Sequence, residues 1–584
     1  MDIREIQETP VWGLYEKGRN FQHMAGIIAD TDKNYRFYNG DQWAGVKLDG
    51  VEPVQKNFIK PIVKYKQAVI HDNLYAIHYS SQNYDRAFRA TAERYCEMLN
   101  RYAANVWERD KMDFKGRRLT KDAAINDEGI MYVDFDREKM VPVHEIIKKN
   151  DIFYGNENDD DIQSQPYILI RKRMPEVNAK EFAESEGVSA EKLEYIIPDN
   201  QTQDESGEAA KLEVDDMVTV IYKFYKLNGT VHFSVATRWV VLIEDADMGI
   251  ERYPIAHMVW EEKEGSARGE GEVRHLIPNQ IEVNKTEMRR VLTVKLQAYP
   301  TRVVDVSKVA NPSDMDSVGV TIETNGTPVD DVNKIVGVIP PAQMSRDVVE
   351  LQNDLISMTR DLAGAGDTAT GQVDPESASG RAILAVQNAS QAPVTEQKES
   401  YKNFVEDIAL IDLEYLIAYA EDGIDLEEEV TDENGETYVQ IVKVPQKALR
   451  ELQATVKIDI TPKSVYDKFA QEQTLENLLV QGFFNPQRLP ELEVYVEALD
   501  DDSVAPKPKL ERIIKRMKDE QLKIARMEAQ AQMMQQRANQ FLMGGPEEQG
   551  QQIADARMQL MAEQEAGLDE ETAQAEEQMD NQQP

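Results

Sequence analysis

What this sequence has little of narrows it first. There is one cysteine, Cys96, in 584 residues, which excludes an intrachain disulfide framework and any multi-cysteine metal centre. Its place in an amphipathic helical pattern makes it a core residue. No stretch approaches the ~20 apolar residues that a membrane span needs. The opening residues, MDIREIQETP, have neither a basic start nor an apolar run, so no secretory signal is expected, and folding in a reducing cytoplasm is. Basic charge is also scarce: 66 Lys plus Arg stand against 106 Asp plus Glu, a formal net charge of −40. That balance argues against gripping nucleic acid by neutralising its phosphates. It suits either a wall past which a polyanion slides, repelled at short range, or the solubility of a large surface.

Catalytic signatures are equally thin. No Gly-Lys-Ser or Gly-Lys-Thr occurs; Lys285 with Thr286, and Lys463 with Ser464, lack the preceding glycine loop that presents backbone N–H groups to phosphate. GEGEVR at 269–274 lacks the third glycine and the βαβ setting of a dinucleotide site. His71 and His78 share roughly one face of an expected helix, with no third ligand nearby. The acidic loop 155–163 (GNENDDDIQ) lacks the central glycine and terminal bidentate glutamate of a helix-loop-helix calcium site, and reads as solvated surface. Carboxylate pairs are too abundant in so acidic a chain to signal acid–base chemistry. No catalytic residue, cofactor or metal ligand is expected.

What is present is a long chain of two to four lobes. Short helices and turns are expected over 1–48, with Phe37, Tyr38 and Trp43 in an aromatic knot. Ile59, Ile62, Val63, Ala68, Val69, Leu74 and Ile77 fit one helix over 58–78, with Pro61 in its first turn. Helical patterns continue over 84–110 and 114–127. Alternation then predicts strands between 129 and 173, a helix over 177–194, a polar loop over 198–211, and further strands around an Asn228, Gly229 hairpin turn.

The stretch 269–423 organises the rest. A helix is expected over 272–297 (EVRHLIPNQIEVNKTEMRRVLTVKLQ), begun or bent at Pro278. Three short β segments follow, at 301–306, 318–324 and 335–339. A second helix, capped by Ser345, runs over 345–362 and carries Val348, Leu351, Leu355, Met358 and Leu362 as one apolar stripe. Residues 363–380 (AGAGDTATGQVDPESASG) read as a mobile loop. A long helix over 381–422, bent at Pro393 and ended by Gly423, comes next. Farther on, Asn434 and Gly435 mark a hairpin. Ile524, Met527, Ala531, Met534, Ala538 and Phe541 form either a coiled-coil seam or a stripe packed on the subunit's own body. The Gln- and Glu-rich end reads as another helix or as disordered.

Helix, small β insertion, helix, glycine-rich loop and long kinked helix, together with the wording GEGEVRHLIPNQIEVNK, DPESASGRAILAVQNAS, RFYNGDQW and KNFIKPIVKYKQAVI, resemble the portal proteins of tailed bacteriophages over most of the chain. No one phrase is diagnostic; their order carries the likeness. The resemblance implies an α+β portal fold. It places an N-terminal region and α+β wing at 1–268, stem helices at 269–297 and 342–362, and a small β-containing clip at 298–341. It also places a tunnel loop at 363–380, a wing helix at 381–423, a return through the wing at 424–506, and a helical crown or barrel from 507. It implies a non-enzymatic ring, usually of twelve copies, at one capsid vertex in the virion, assembled in the host cytoplasm with major capsid and scaffold proteins. Double-stranded DNA passes through it. The clip would dock the terminase large subunit and later a head-completion adaptor, with Arg302, Asp305, Lys308, Asp314, Asp316, Glu323, Asp330 and Asp331 as its polar surface. The DNA-facing tunnel loop would present Gly364, Gly366, Asp367, Thr368, Thr370, Gly371, Gln372, Asp374 and Glu376. Rival readings are another ring-forming head–tail connector component, an acidic coiled-coil adaptor, or an unrecognised DNA-processing enzyme.

Overall fold

The computed structural model describes residues 3–47, 52–82, 89–199, 216–298, 301–315, 317, 319, 321–325, 335–340, 344–366, 392–431 and 437–462, with short helical pieces between 475 and 535. They divide into two compact units, Met1–Pro462 and Lys463–Pro584.

The first unit opens with α1 (Ile3–Glu8), α2 (Val11–Met24) and α3 (Ile27–Asn39), the last stopped by Gly40 at φ +97°. Phe37 and Tyr38 are buried at its end, and the Trp43 indole donates to the Val54 carbonyl at 3.0 Å, so the aromatic knot forms. Helix α4 (Ile59–Ile70) holds Pro61 in its first turn and buries Ile59, Ile62, Val63 and Ile70. The helix expected to run on to residue 78 stops here. Leu74 and Ile77 belong instead to a strand, β1 (Asn73–Ser81), where Tyr75, Ile77 and Tyr79 pack on the core while Leu74 is exposed. A period of two with aromatic and β-branched residues suits a strand, and its partner comes from the far end of the unit, beyond the reach of a local pattern.

Helices α5 (Arg89–Arg109) and α6 (Met112–Ile125) follow, with Cys96 buried in α5, its thiol pushed up to about 11 by burial. Then come β2 (Glu128–Asp136), β3 (Val141–Ile147), β4 (Ile152–Tyr154), β5 (Ile168–Pro175), α7 (Glu176–Ser185) and the short α8 (Ala190–Leu193). Next in the chain are β6 (Met217–Leu227), β7 (Thr230–Ala236), β8 (Val241–Asp247) and β9 (Ile255–Val259). Antiparallel pairing makes a three-stranded sheet, β3-β2-β9, and a five-stranded one, β4-β5-β6-β7-β8. Asn228 and Gly229 both have positive φ, +56° and +97°, the signature of the expected type I′ turn.

Helix α9 (Glu272–Ala298) contains Pro278 in its second turn, so it begins before the proline. The two three-residue strands β10 (Arg302–Val304) and β11 (Val336–Val338) pair with each other. Of the middle β segment expected between them, the described part makes a single bridge, Thr324 to Val309. Helix α10 (Arg346–Leu362) follows, and Ser345 caps it by accepting from the Asp347 N–H at 3.3 Å. Pro393 lies in a one-turn 3₁₀ segment that leads into α11 (Thr395–Tyr419). The upstream part of the expected long helix is outside the described residues. Helix α11 is buried on most of its faces, through Tyr401, Phe404, Ile408, Ile411, Tyr415 and Leu416 among others, as befits a helix at the centre of a core.

The hairpin β12 (Ile424–Thr431) and β13 (Thr437–Val444) and the short α12 (Gln446–Leu452) lead to β14 (Ala454–Pro462), which lies antiparallel along β1 from Asn73 opposite Pro462 to Ser81 opposite Ala454. This pairing closes the unit across nearly four hundred residues. In the second unit, helical pieces pack Val496 and Ile514 with Leu492, Tyr495 and Leu510. Ile524, Met527 and Met534 of the expected seam are exposed, and Ala538 and Phe541 lie outside the described residues. Helices mixed with small antiparallel sheets make this an α+β fold, as expected.

Candidate functional site

The helix pair α9 and α10 is rooted in the core through Val273, Leu276, Ile277 and Val283, and carries the small insertion between its two helices. Its root is fixed by a buried ionic network. Arg268 is surrounded by Glu128, which it contacts through Nη1, and by Glu157, held in a two-point contact at 2.9 and 3.1 Å; it also donates to the Ile152 carbonyl and lies 4.8 Å over the Tyr154 ring. Glu128 accepts in addition from Tyr154 Oη and pairs with His257 Nε2, both at 2.9 Å. Burial pushes the Glu128 carboxyl up, but the Arg268 guanidinium and His257 outweigh it, and Glu128 stays below the usual carboxylate range. Beside it Lys149 pairs with Asp127, whose carboxyl burial pushes upward.

Two glycines let the chain leave this network for α9. A Cβ on Gly271 would stand 2.5 Å from the Asn126 carbonyl oxygen, and one on Gly269 would run into the Glu261 carbonyl. The GEGE wording thus reflects close backbone packing. At the helix start Glu272 accepts from Lys66 Nζ at 2.6 Å and from the Trp260 indole at 3.3 Å.

Polar side chains then anchor α9 on both sides. Gln280 accepts from the Phe58 N–H and donates to the Lys56 carbonyl, while Asn284 accepts from the Lys56 N–H and donates to Gln42. Toward α10, Asn279 donates to Thr359 Oγ1 at 2.9 Å and Gln352 donates to Glu287 at 2.6 Å. The buried residues of α10 are therefore Gln352 and Thr359. The expected apolar stripe lies elsewhere: Leu351 and Met358 are each 65 % exposed and Leu362 is 84 % exposed, with Val348 and Leu355 half-buried. Within the subunit Leu351, Met358 and Leu362 face out, while Leu355 packs on the core.

After Leu362 the chain does not loosen at once. Gly364, at φ +70°, donates to the Asp361 carbonyl and Ala365 to the Arg360 carbonyl, a Schellman ending. Ala363 and Ala365 are buried, and a Cβ on Gly364 would stand 2.7 Å from Pro393 Cβ. Gly364, expected in a mobile loop, is here a helix stop seated on the start of α11; Gly366 closes against Asp361. Asp367, Thr368, Thr370, Gly371, Gln372, Asp374 and Glu376 lie outside the described residues.

In the insertion, Arg302 donates to the Met315 carbonyl at 2.6 Å, Asp305 pairs with Lys308 at 3.0 Å, and the Glu323 N–H donates to Asn311. These three contacts stitch the insertion internally. Val309, Met315 and Ile335 form its small core, while Val303, Val306, Val338 and Ile339 are exposed. Asp314 sits in a 3₁₀ turn; Asp316, Asp330 and Asp331 are outside the described residues.

Among the described residues no group of His, Cys, Asp and Glu has the geometry to hold a metal ion, and no helix is long and apolar enough to cross a membrane. His71 and His78, expected on one helix, occupy the end of α4 and β1; His71 bonds Thr120 at 3.0 Å and His78 pairs with Asp459 at 3.5 Å. The acidic loop 155–163 is tied by side chain–backbone bonds at Asn156, Asp159 and Asp161. The sequence reading missed the Arg268–Glu128 network and a second one, in which His144 Nδ1 meets Asp110 at 2.7 Å and Nε2 meets Asp412 at 3.2 Å. Neither has a local signal, since each depends on a contact between residues over a hundred apart, Arg268 with Glu128 and His144 with Asp412.

The described residues thus form an α+β body carrying a polar-keyed helix pair that brackets a small β insertion, the order of elements expected of a portal. Residues 18–579 match the family model described as phage P22-like portal protein, so the chain belongs to that family of tailed-bacteriophage portal proteins. Its role is that of a portal in the virion, within a family whose members form rings with capsid and DNA at the head–tail connector. No curated protein matches the chain.

Proposed function

We propose that copies of this chain, twelve in number, close into a ring at one capsid vertex through which double-stranded DNA is packaged and ejected, driven by a separate ATPase. Residues 269–297 and 342–362 are its stem, 298–341 its clip, 363–380 its tunnel loop and 507–584 its crown, with the α+β body as wing. The clip docks the terminase large subunit during filling and a head-completion adaptor afterwards; the chain itself is not an enzyme. The ring is assembled with capsid and scaffold proteins in the host cytoplasm. The observation that carries this reading is the outward stripe of Leu351, Met358 and Leu362 on α10, apolar surface arranged along one helix that a second subunit can cover. Heterologous contacts of that kind close into rings.

Electron micrographs of the purified protein, class-averaged along the symmetry axis, test it. Rings with a bore wide enough for duplex DNA are expected, and a monomer or a solid assembly sinks it. Deleting residues 367–372 should leave the ring intact and reduce packaging or retention of DNA; loss of the ring itself contradicts the loop assignment.

A further inference from the structure

Opposite sides of the α9–α10 pair carry opposite charge, and we infer that the basic side of α9 in one copy docks on the acidic side of α10 in the next. This rests on the ring proposed above and specifies its contact. The two bonds between the helices, Asn279 to Thr359 and Gln352 to Glu287, set both the facing sides and the register. With about 3.6 residues per turn, Lys285, Arg289, Leu292 and Leu296 fall on the side of α9 turned away from α10. Asp347, Glu350 and Asp354 fall on the side of α10 turned away from α9, bordered by the exposed Leu351 and Met358.

The charge is regional as well as facial. From residue 285 to 298, α9 has four cations and one acid, while α10 has four acids and two cations. In a chain of net charge −40 a basic helix end is an exception; Arg290 lies on the α10 side beside Glu287, while Lys285 and Arg289 lie on the side turned away from α10. Exposed pairs within each helix, Lys285 with Glu282 at 2.7 Å and Arg346 with Glu350 at 3.5 Å, are of the weakly held kind that a neighbour's charge can exchange into.

Height agrees with charge. Because the helices are antiparallel, each step toward the C-terminus of α9 is a step back along α10. Asn279 opposite Thr359 and Glu287 opposite Gln352 therefore put Lys285 level with Asp354 and Arg289 level with Glu350. For a pair standing along the ring axis, rotation about that axis leaves height unchanged, so the same levels meet between neighbours. Leu292 and Leu351 then lie in the same band as the charges, apolar contacts flanked by ion pairs. The opposite signs fix direction around the ring: acidic sides repel one another, as do basic sides, so head-to-head contact is disfavoured.

Charge reversal on the full-length protein tests this. The variants are K285E/R289E, with both sides acidic, and E350K/D354K, with both sides basic. Circular dichroism and thermal unfolding establish that each subunit is folded, and sedimentation velocity at low and high salt counts rings. Wild-type protein is expected to form rings, each variant alone to lose at least tenfold in ring yield, and an equimolar mixture to recover them as alternating rings, since every contact then pairs opposite signs. Folded variants that each form full rings, or a mixture that stays as unassembled as its parts, overturn the assignment while leaving the ring standing. Wild-type protein that never closes into rings overturns the ring reading, and this contact with it.

Discussion

The body and the helix pair handle polar and apolar groups in opposite ways. In the body, charges are buried and apolar residues surround them: Arg268 with Glu128 and Glu157, and His144 with Asp110 and Asp412, lie inside a continuous hydrophobic core. In the pair, Asn279, Gln352 and Thr359 meet inside, while Leu351, Met358 and Leu362 face out. The body therefore specifies itself, since each buried charge finds its partner in the same chain. The pair is rooted in that core through one end of α9 and held in register by polar contacts, and the apolar residues on its outer side are uncovered within the subunit. Burial of the outward stripe returns about 25 cal/mol per Å² of apolar area removed from water, and that return arrives only on assembly.

The largest expected effect tests the body. Replacing Arg268 by Met leaves Glu128 buried without its cation, which should cost roughly 3–5 kcal/mol in unfolding free energy, measured by denaturant titration. A loss below about 1 kcal/mol would place the network among exposed ion pairs.

Next in size is the His144 contact. Burial alone would lower its pKa, but Asp412 and Asp110 raise it to about 9; the same contact holds the Asp110 carboxyl well below its usual range against the effect of burial. A group whose folded pKa is raised stabilises the fold fully below its unfolded value and loses that contribution as pH rises through the folded one. Stability from His144, of order 3 kcal/mol, should therefore be complete below about pH 6.5 and decline through about pH 9. His144→Ala should flatten the decline in a pH series of unfolding midpoints.

Smaller still is the join between the two regions. Gly364→Ala forces a side chain into left-handed backbone against Pro393, at a cost of roughly 1–2 kcal/mol, read as a lower unfolding midpoint. Smallest in the subunit is Leu351→Asp: exposed on the outward side, it should change the stability of the isolated chain by no more than about 0.5 kcal/mol while sharply reducing ring yield. A loss of several kcal/mol without assembly would mean that the stripe is already covered within the subunit, and the contrast between the regions would fail.

Much of the element order is legible locally. The period-two runs of β2 and β5–β8, the Asn228, Gly229 turn, the Ser345 cap and the stripe on α10 are statements about neighbours in sequence, and local backbone physics enforces them. Site residues were less legible. The stripe on α10 has helical period, but period does not say which face meets a partner. Gly364 belongs to a glycine-rich stretch, yet its Schellman ending depends on where α10 stops and on Pro393 nearly thirty residues later.

From composition and order alone came the acidic character, the α+β class, the lone buried cysteine and the likeness to phage portals. The tertiary structure decided that residues 73–81 form a strand, because β14 supplies the hydrogen-bond partners. It decided that Arg268 and His144 are buried as ions, because carboxylates from distant segments converge on them. It also decided that Leu351, Met358 and Leu362 of α10 look outward, because Gln352 and Thr359 are the residues that meet α9, at Glu287 and Asn279. In each case the deciding contact joins residues far apart in the chain, and a linear pattern carries no term for a partner it does not contain.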